Sequence, residues 1–436
     1  MKNKTVYLGM NLDILHHGHI NIILEASKYG EVIIGLLTDS AIASYKRLPY
    51  LNFDQRLKII NNINGVNKVV RQDQWDYSPN LIKYKPDLMI HGDDWLSGPM
   101  LPFRERAIKA LQSYGGKLIE IPYTKGVSSS AMVKEVLSLG VTSEVRKSTL
   151  KRLLNCKKYI TLLETHSPIS AIIAEKTTIT TKEGKIKEFD GFWSSSLTDS
   201  TEMGKPDIEA LDISKRLSNI NNIFDVTTKP LIMDADTGGK TEHFKLHVRS
   251  MERLGISAVI IEDKKGLKKN SLLGNDVNQS QEDINLFCEK ISTAVKGRLS
   301  DDFMLISRIE SLIMEKGIED ALRRAHAYVE AGSDAIMIHS RKKTPSEIFE
   351  FSKFFKNDYP EIPLVCVPTS FNKTKEEELA ANGFNIIIYA NHLLRASYPA
   401  MREVAKEILN NQRSFESDQS LISINEILNL IPGTNK

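Results

Sequence analysis

The chain has 436 residues, of which 41% are hydrophobic and 26% are charged, and its formal net charge is only +3. This length predicts two or three domains, because a single hydrophobic core stops growing at about 250–300 residues. The apolar fraction excludes a disordered chain. The near balance of 58 basic and 55 acidic side chains argues against a nucleic-acid-binding protein.

Cysteine usage and the first residues predict the compartment. The three cysteines, Cys156, Cys288 and Cys366, are widely separated and form no CxxC pair, which is typical of a reducing environment. The N-terminus lacks the apolar segment of a signal peptide, and no run reaches the ~18 apolar residues of a membrane span. We therefore expect a cytoplasmic protein that does not engage a membrane.

The first part of the chain alternates short apolar runs with helical periodicity. Residues 19–28, 54–63 and 130–139 have the helical pattern. Strands are predicted at residues 5–8, 32–37, 68–71, 88–91 and 117–121. Short apolar strands that alternate with helices predict a parallel sheet with both faces covered.

A polar stretch at residues 141–149 follows Gly140, which is a plausible helix stop, and we place the domain boundary there. The predicted organisation is an N-terminal domain, a linker, a second domain and a polar tail with a short amphipathic stretch at residues 422–431. Their bounds are residues 1–136, 137–150, 151–410 and 411–436.

The second domain repeats the β/α rhythm eight times in about 240 residues, which predicts a TIM barrel. Polar residues follow nearly every run, and in such a barrel the C-terminal strand ends meet where active sites form. A Thr/Lys-rich segment at residues 177–188 is interpreted as an inserted hairpin or loop. The strands are predicted at residues 160–164, 191–194, 230–234, 258–262, 303–308, 335–339, 363–367 and 385–389.

An HHGH motif directly follows the first predicted strand and begins a helix. His16 and His19 are three residues apart and therefore share one face of that helix. A helix N-terminus offers free N–H groups and a positive dipole to a phosphate, and Gly18 lets the backbone approach a ligand closely. The motif therefore predicts a nucleotide triphosphate site in which the imidazoles stabilise charge during phosphoryl transfer.

Two other segments accompany this motif, HGDDW at residues 91–95 and YTKGVSSSAM at residues 123–132. Lys46 and Arg56 lie between the motif and these segments, where cations could neutralise a triphosphate. Across nearly all of residues 5–135 the set resembles the cytidylyltransferases of the glycerol-3-phosphate and ethanolamine-phosphate type. The resemblance implies a Rossmann-like fold, CTP as co-substrate, Mg²⁺, and transfer of CMP to a phosphate or phosphonate with release of pyrophosphate. It assigns His16 and His19 to transition-state stabilisation. It assigns nucleotide binding to Asp13, Gly18, Lys46, Thr124, Gly126, Ser128 and Ser129.

The N-terminal domain also departs from that family. Tyr123 stands in place of the usual Arg and Lys125 in place of Glu, while Met10 and Asn11 replace Gly-Thr or Gly-Val. A domain that binds nucleotide without turning it over, or that assists assembly, therefore stays open as an alternative. The two tryptophans of this domain are interpreted as packing residues.

The barrel carries acids and cations at its predicted strand ends. DADTGG at residues 234–239 places Asp234 and Asp236 after a strand, and EDKKGLKKNS at residues 262–271 adds Glu262 and a loop long enough to act as a lid. Arg308 can clamp a carboxylate or phosphate, and the pair at residues 339–340 adds hydrogen bonding. This combination predicts a magnesium site for a small, multiply anionic substrate.

Seven ordered segments of this domain resemble phosphoenolpyruvate mutase, in the isocitrate lyase superfamily, from about residue 147 to residue 410. They include FWSSSLTDS at residues 192–200, DADTGG, SRIES at residues 307–311 and YANHLLRAS at residues 389–397. The resemblance implies isomerisation of phosphoenolpyruvate to 3-phosphonopyruvate in phosphonate biosynthesis. The whole chain resembles bifunctional cytidylyltransferase–mutase enzymes of those pathways.

The same resemblance implies residue roles. Asp234 binds Mg²⁺, and Asp236 and Glu262 support its waters. Trp193 and Ser195 line the pyruvyl pocket, and Asp207 matches an essential carboxylate near the moving phosphoryl group. The remaining assignments are Lys268 and Asn270 on the lid, and Arg308, His339 and Ser340 at the anionic groups.

Two relatives of the barrel are weighed against the mutase. Isocitrate and methylisocitrate lyases carry a catalytic Cys in the lid, whereas this lid reads Lys268-Lys269-Asn270-Ser271, so a C–C lyase is disfavoured. Phosphonopyruvate hydrolase stays open as an alternative, although Asn270 favours the mutase. Mutases of this family also imply a homo-oligomer, a dimer or a tetramer.

Overall fold

The computed structural model describes residues 4–96, 98–122, 140–182, 185–266 and 268–431. The predicted helix at residues 130–139 lies outside these ranges, as do Thr124, Gly126, Ser128 and Ser129. Within the described ranges, no helix combines the length and the apolar character that crossing a bilayer requires.

The N-terminal domain is a five-stranded parallel sheet, as the sequence predicts, and its strand order is β3-β2-β1-β4-β5. Alternate residues of the central strand face opposite sides, so that Val6 and Leu8 join one apolar cluster while Tyr7 joins another. The strands are β1 (Thr5–Met10), β2 (Glu31–Leu37), β3 (Lys68–Gln72), β4 (Leu88–Gly92) and β5 (Lys117–Ile121). The helices described here are α1 (His17–Ser27), α2 (Asp39–Ala43), α3 (Phe53–Ile60), α4 (Ser78–Tyr84) and α5 (Leu101–Gln112).

The second domain is a closed barrel of eight parallel strands, which confirms the predicted TIM barrel. Each predicted strand is present, with its ends shifted by at most two residues. The insertion is a hairpin of β7 (Thr178–Thr180) and β8 (Ile186–Glu188), and β12 (Lys264–Lys265) pairs with β13 (Ser280–Gln281) at the lid. The barrel strands are β6 (Ile160–Glu164), β9 (Gly191–Ser194), β10 (Leu231–Asp234), β11 (Ala258–Glu262), β14 (Met304–Ile309), β15 (Ala335–Ile338), β16 (Leu364–Cys366) and β17 (Phe384–Tyr389).

The helices of the second domain lie around the barrel, and most of them bury apolar side chains against its strands. In chain order they are α6 (Ser143–Cys156), α7 (Pro168–Lys176), α8 (Ser196–Glu202), α9 (Ile213–Phe224), α10 (Thr241–Leu254), α11 (Ile284–Val295), α12 (Gly317–Glu330), α13 (Ser346–Asp358), α14 (Glu376–Ala381), α15 (His392–Asn411) and α16 (Ile424–Leu430).

Helix α6 closes the N-terminal end of the barrel. Leu150 and Leu153 pack on the side chains that fill the barrel interior. The buried Arg146 guanidinium donates to the carbonyls of Lys229 at 2.9 Å and Thr227 at 2.5 Å, in the loop that precedes β10. The segment predicted as a polar linker therefore includes half of a barrel helix. Polar and charged residues dominate the first two turns of that helix, and Leu150 and Leu153 come only in its second half, so the sequence pattern missed its start.

The two domains touch at this closed end. Helix α2 packs against α6, and Leu48 of the N-terminal domain packs on the same interior cluster as Leu150. The barrel pocket described below lies at the C-terminal strand ends, so the barrel separates it from the N-terminal domain.

Candidate active site

A small cavity of about 60 Å³ lies at the C-terminal ends of the barrel strands. Parallel strands bring their C-terminal residues to one face, which is why side chains more than 100 residues apart in sequence meet there. The cavity is lined by both apolar and polar side chains. Its lining includes Trp193, Ser195, Ser196, Asp207, Asp234, Lys268, Asn270, Ser271, Arg308, Met337, His339, Val367, Thr369 and Asn391.

Lys268 is a buried cation inside this site. Its Nζ donates to Asp207 Oδ1 at 2.8 Å and to Ser196 Oγ at 2.5 Å, and it also contacts Asp236. Burial alone would lower the pKa of Lys268, but the surrounding carboxylates, Asp236 and Asp234 foremost, raise it above its ordinary value. The lysine therefore stays charged in the closed site.

The lid and the loop that carries Asp207 are joined by two hydrogen bonds. Asp207 Oδ1 accepts from Lys268, and Asp207 Oδ2 accepts from Asn270 Nδ2, each at 2.8 Å. Both oxygens of the carboxylate are thus occupied by residues of the lid. The structure thus brings the two predicted lid residues onto the carboxylate that was predicted to lie near the moving phosphoryl group.

Arg308 lies opposite, at the end of β14. Its Nε donates to Glu310 Oε1 at 2.6 Å, and its Nη2 lies 3.3 Å from Glu262 Oε2 and donates to Ser271 Oγ. Lys264 lies beside it, 3.5 Å from Glu262 and 3.3 Å from Glu310. These cations hold the pKa of Glu310 well below its usual range although it is fully buried.

Two donor-bearing side chains in the cavity lack protein partners. Within the described part of the chain, Trp193 Nε1 and His339 Nδ1 are buried without a hydrogen bond. Burial, together with the charge of Arg308, lowers the pKa of His339 to about 3, so the imidazole is neutral at physiological pH. A buried polar atom without a partner costs free energy, which binding of an anion here would recover.

The predicted magnesium residues lie at the same face. Within the described ranges, no three acidic, histidine or cysteine side chains form a preformed metal-binding group. Asp234 accepts from Ser196 Oγ at 3.0 Å, and both oxygens of Glu262 are buried without a hydrogen bond. Burial raises the pKa of Glu262 to about 7. Carboxylates with unfilled acceptor positions fit a Mg²⁺ ion that keeps several waters.

Arg216 supports these acids from behind. Its guanidinium donates to Asp199 Oδ2 at 3.0 Å and lies 3.4 Å from Asp236 Oδ2. Asp199 also accepts from Ser194 Oγ at 2.6 Å, so the arginine ties the end of β9 to the end of β10. Sequence reasoning assigned no role to this arginine, which lies in the first turn of α9 with no motif around it.

One predicted residue, Ser340, lies apart from the others. Ser340 is not among the residues that line the cavity, because its hydroxyl donates to Glu347 on α13 and accepts from Lys342 N at 3.1 Å. Conversely, Ser196, Ser271 and Lys264 contact predicted site residues without having been assigned. Their only sequence signal was membership of the serine-rich and lysine-rich segments.

In the N-terminal domain, the two motif histidines meet at the start of α1. The rings of His16 and His19 stack with centroids 3.9 Å apart, and His16 N donates to His19 Nδ1 at 3.4 Å. Burial lowers the pKa of both imidazoles, that of His19 to about 4. Gly18 lies in the first turn of the same helix, whereas His17 is exposed.

The two predicted cations of this domain differ in their surroundings. Lys46 lies near Asp13 and 5.5 Å from the centroid of the Trp75 ring, and burial lowers its pKa. Arg56 is fully buried and donates to Asp39 at 2.6 Å and to the carbonyl of Asn11 at 2.6 Å. The guanidinium therefore serves the fold and does not face a triphosphate, contrary to the expectation from its sequence position.

Trp95 is a packing residue, as the sequence predicts. It is fully buried, stacks on His91 with ring centroids 3.7 Å apart, and donates its indole N–H to Glu120 at 2.6 Å. Arg104 completes the group with two hydrogen bonds to the same carboxylate.

Comparison with known proteins identifies the family of each domain. The family described as Phosphoenolpyruvate phosphomutase matches residues 150–409, and the family described as Cytidylyltransferase-like matches residues 7–136. A phosphonopyruvate hydrolase from Variovorax sp. (strain Pal2) is 36% identical over 287 residues, covering 65% of this chain and 94% of that protein. A phosphoenolpyruvate phosphomutase from Tetrahymena pyriformis is 34% identical over 290 residues, covering 66% and 92%.

Solved structures give the same result. The crystal structure of phosphoenolpyruvate phosphomutase from Streptomyces platensis subsp. rosaceus superposes with a TM-score of 0.60 at 31% identity, covering 66% of this chain and 95% of that one. A phosphonopyruvate hydrolase in complex with oxalate and Mg²⁺ has a TM-score of 0.58 at 35% identity, with the same coverage. The match to the phosphoenolpyruvate phosphomutase family spans more than half of this chain. The chain therefore belongs to that family, and it carries an N-terminal cytidylyltransferase-like domain.

Proposed function

We propose that the barrel interconverts phosphoenolpyruvate and 3-phosphonopyruvate, and so forms a P–C bond at the start of phosphonate biosynthesis. The observation that carries this proposal is the closed lid, in which Lys268 and Asn270 hold both oxygens of Asp207 over a small, cation-lined cavity. A site of this kind binds a small anion and shields it from water.

The reaction moves one phosphoryl group within a single substrate. The P–O bond breaks to leave a pyruvate enolate, and C3 of the enolate then attacks phosphorus through a loose, metaphosphate-like transition state. Arg308 and the partnerless donors of Trp193 and His339 would hold the anionic groups and keep the enolate close to phosphorus. No atom leaves the cavity. The protein therefore has to position the enolate against the phosphoryl group and to exclude water.

A magnesium ion would be held by Asp234, with Asp236 and Glu262 accepting hydrogen bonds from its waters. Bound there, the ion supplies positive charge that polarises the oxygens of the substrate. The Mg²⁺ of the related hydrolase structure and the unfilled acceptors of Glu262 support this assignment. Lys268 supplies a second fixed charge among the same acids.

Hydrolysis of phosphonopyruvate is the competing function, since a hydrolase is among the similar proteins. The two reactions differ in whether water reaches the phosphoryl group. Asn270 lines the cavity and donates to Asp207, which supports a lid sealed against water. The same lid lacks the cysteine on which the lyases of this barrel depend.

The product ratio tests this distinction. With phosphonopyruvate and Mg²⁺, the wild-type protein is expected to give phosphoenolpyruvate, whereas Asn270→Ala gives pyruvate and phosphate as a growing share of a slower turnover. Loss of the amide opens the lid at Asp207 and admits water. Phosphate and phosphoenolpyruvate are quantified by ³¹P NMR. Pyruvate and phosphate as the main wild-type products would make the barrel a hydrolase.

For the N-terminal domain, we propose CTP-dependent cytidylyl transfer to a phosphonate made later in the same pathway. The stacked imidazoles of His16 and His19 at a helix N-terminus support this activity, because they would face the charge that develops on the transferred phosphoryl group. Lys46 beside Asp13 adds a cation to the same end of the sheet. A nucleotide-binding domain without turnover is the second candidate, favoured by Met10 and Asn11 before the motif.

A homo-oligomer forms part of the proposal. Helix α15 has no buried residue in the described chain and exposes Tyr398, Met401 and Leu409, the last with 80% of its surface accessible. Exposed apolar side chains concentrated on one helix support a contact with a second copy.

A further inference from the structure

The segment of residues 45–52 lies between the two domains and contacts both. On the barrel side, Arg47 Nη2 donates to Thr228 Oγ1 at 2.6 Å. Arg152, on helix α6, donates to the carbonyl of Pro49 at 2.9 Å and to that of Tyr50 at 3.2 Å. The backbone of this interdomain segment is thus fixed by a side chain that belongs to the barrel.

The same interdomain segment reaches the predicted nucleotide site. It includes Lys46, the cation assigned to nucleotide binding. Farther along the segment, Leu51 N donates to Asp13 Oδ1 at 3.0 Å. Asp13 lies three residues before His16, the first functional histidine of the motif. Any shift of the segment would therefore move Lys46 and Asp13 relative to His16 and His19.

A second connection runs through Asp39. Its Oδ2 lies 3.5 Å from Arg152 Nη2, and its Oδ1 accepts from Arg56 Nη2 at 2.6 Å. Arg56 in turn donates to the carbonyl of Asn11 at 2.6 Å and to that of Leu51 at 3.1 Å. Arg152 is therefore at one end of a hydrogen-bonded chain that leads back to the residues beside Asp13.

We propose that Arg152 is a positioning residue for the nucleotide site of the N-terminal domain, so that the base of the barrel forms part of the support of that site. The inference rests on the proposed cytidylyl transfer and extends it across the domain boundary. Arginine suits this place because its planar fork can donate to two carbonyls and a carboxylate together, which an ammonium group cannot match.

The inference predicts a selective defect. Arg152→Gln removes the charge facing Asp39 and loosens both carbonyl contacts, so residues 45–52 are held less firmly and Lys46 is misplaced before CTP binds. We expect KM for CTP to rise about tenfold, with kcat changed less and with mutase turnover unchanged. Arg152→Lys keeps the charge near Asp39, so its KM for CTP should lie between those of the wild type and Arg152→Gln.

The experiment uses the full chain. CTP kinetics, mutase turnover and amide hydrogen exchange are measured on the wild type, the two Arg152 variants and Arg323→Gln, which removes an exposed ion-pairing arginine from the barrel helix α12. Support is a raised KM for CTP together with faster exchange in residues 45–52, found in Arg152→Gln and absent from Arg323→Gln.

Two results overturn the inference. One is an unchanged KM for CTP in Arg152→Gln despite faster exchange in residues 45–52. The other is an equal loss of mutase turnover, which would mean general damage to the barrel. A wild-type protein that neither binds nor turns over CTP would instead overturn the proposed cytidylyl transfer itself, and the positioning role with it.

Discussion

Asp207→Asn is expected to lower mutase kcat on the order of 10³-fold, the effect of losing a charged group that acts at the reacting atoms. The carboxylate accepts from Lys268 on one oxygen and from Asn270 on the other. An amide retains a single acceptor oxygen and turns an NH₂ group toward one of these donors. The lid would then be held less firmly at residue 207, and the negative charge next to the phosphoryl group would be lost.

The matched control is Asp301→Asn, since this carboxylate is 95% exposed and lies on the far side of the barrel in the loop before β14. Turnover is measured from phosphonopyruvate to phosphoenolpyruvate, with thermal unfolding of each variant measured alongside. Retention of more than a tenth of the wild-type kcat by Asp207→Asn would show that the carboxylate does not act at the reacting group.

The second large effect is expected in the N-terminal domain. His16→Ala should lower CTP-dependent release of pyrophosphate by at least about 10²-fold, because it removes a group that stabilises charge on the transferred phosphoryl. Mutase turnover in the same preparation should not change, since the barrel lies between the two sites. Suitable acceptors are 2-aminoethylphosphonate and 2-hydroxyethylphosphonate.

The chain offers its own control for this experiment. His17 is adjacent in sequence and exposed, with its ring edge-on to His16 at 6.4 Å between centroids, so His17→Ala makes the same chemical change while both rings of the stacked pair remain. We expect His17→Ala to release pyrophosphate at the wild-type rate. Equal rates for His16→Ala and His17→Ala would exclude the imidazole from the reaction, and loss of mutase turnover in His16→Ala would contradict two independent sites.

Most of the fold was predictable because the strands are short, apolar and regularly spaced. All thirteen predicted strands are present, as five in the open sheet and eight in the barrel. The start of helix α6 was missed because its first residues are polar, and Leu150 and Leu153 bury themselves only through a tertiary contact with the barrel interior. Local pattern carries no information on such a contact.

The site was predictable where chemistry sits in a motif. Lys268 and Asn270 both contact Asp207, and Arg308 and His339 line the same cavity. Arg216 and the buried role of Arg56 could not be predicted, since a lone arginine in a helix reads as solvent-exposed. Ser340 illustrates the converse error, in which a residue beside a site histidine bonds to a neighbouring helix instead.

The central claim is that the barrel forms a P–C bond. The most direct measurement is ³¹P NMR of phosphoenolpyruvate incubated with the full-length protein and Mg²⁺, coupled to an enzyme that traps phosphonopyruvate, because the equilibrium favours phosphoenolpyruvate. We predict a growing phosphonate resonance that is absent from a sample treated with a magnesium chelator. A spectrum in which phosphoenolpyruvate persists, or in which phosphate alone appears, would contradict it.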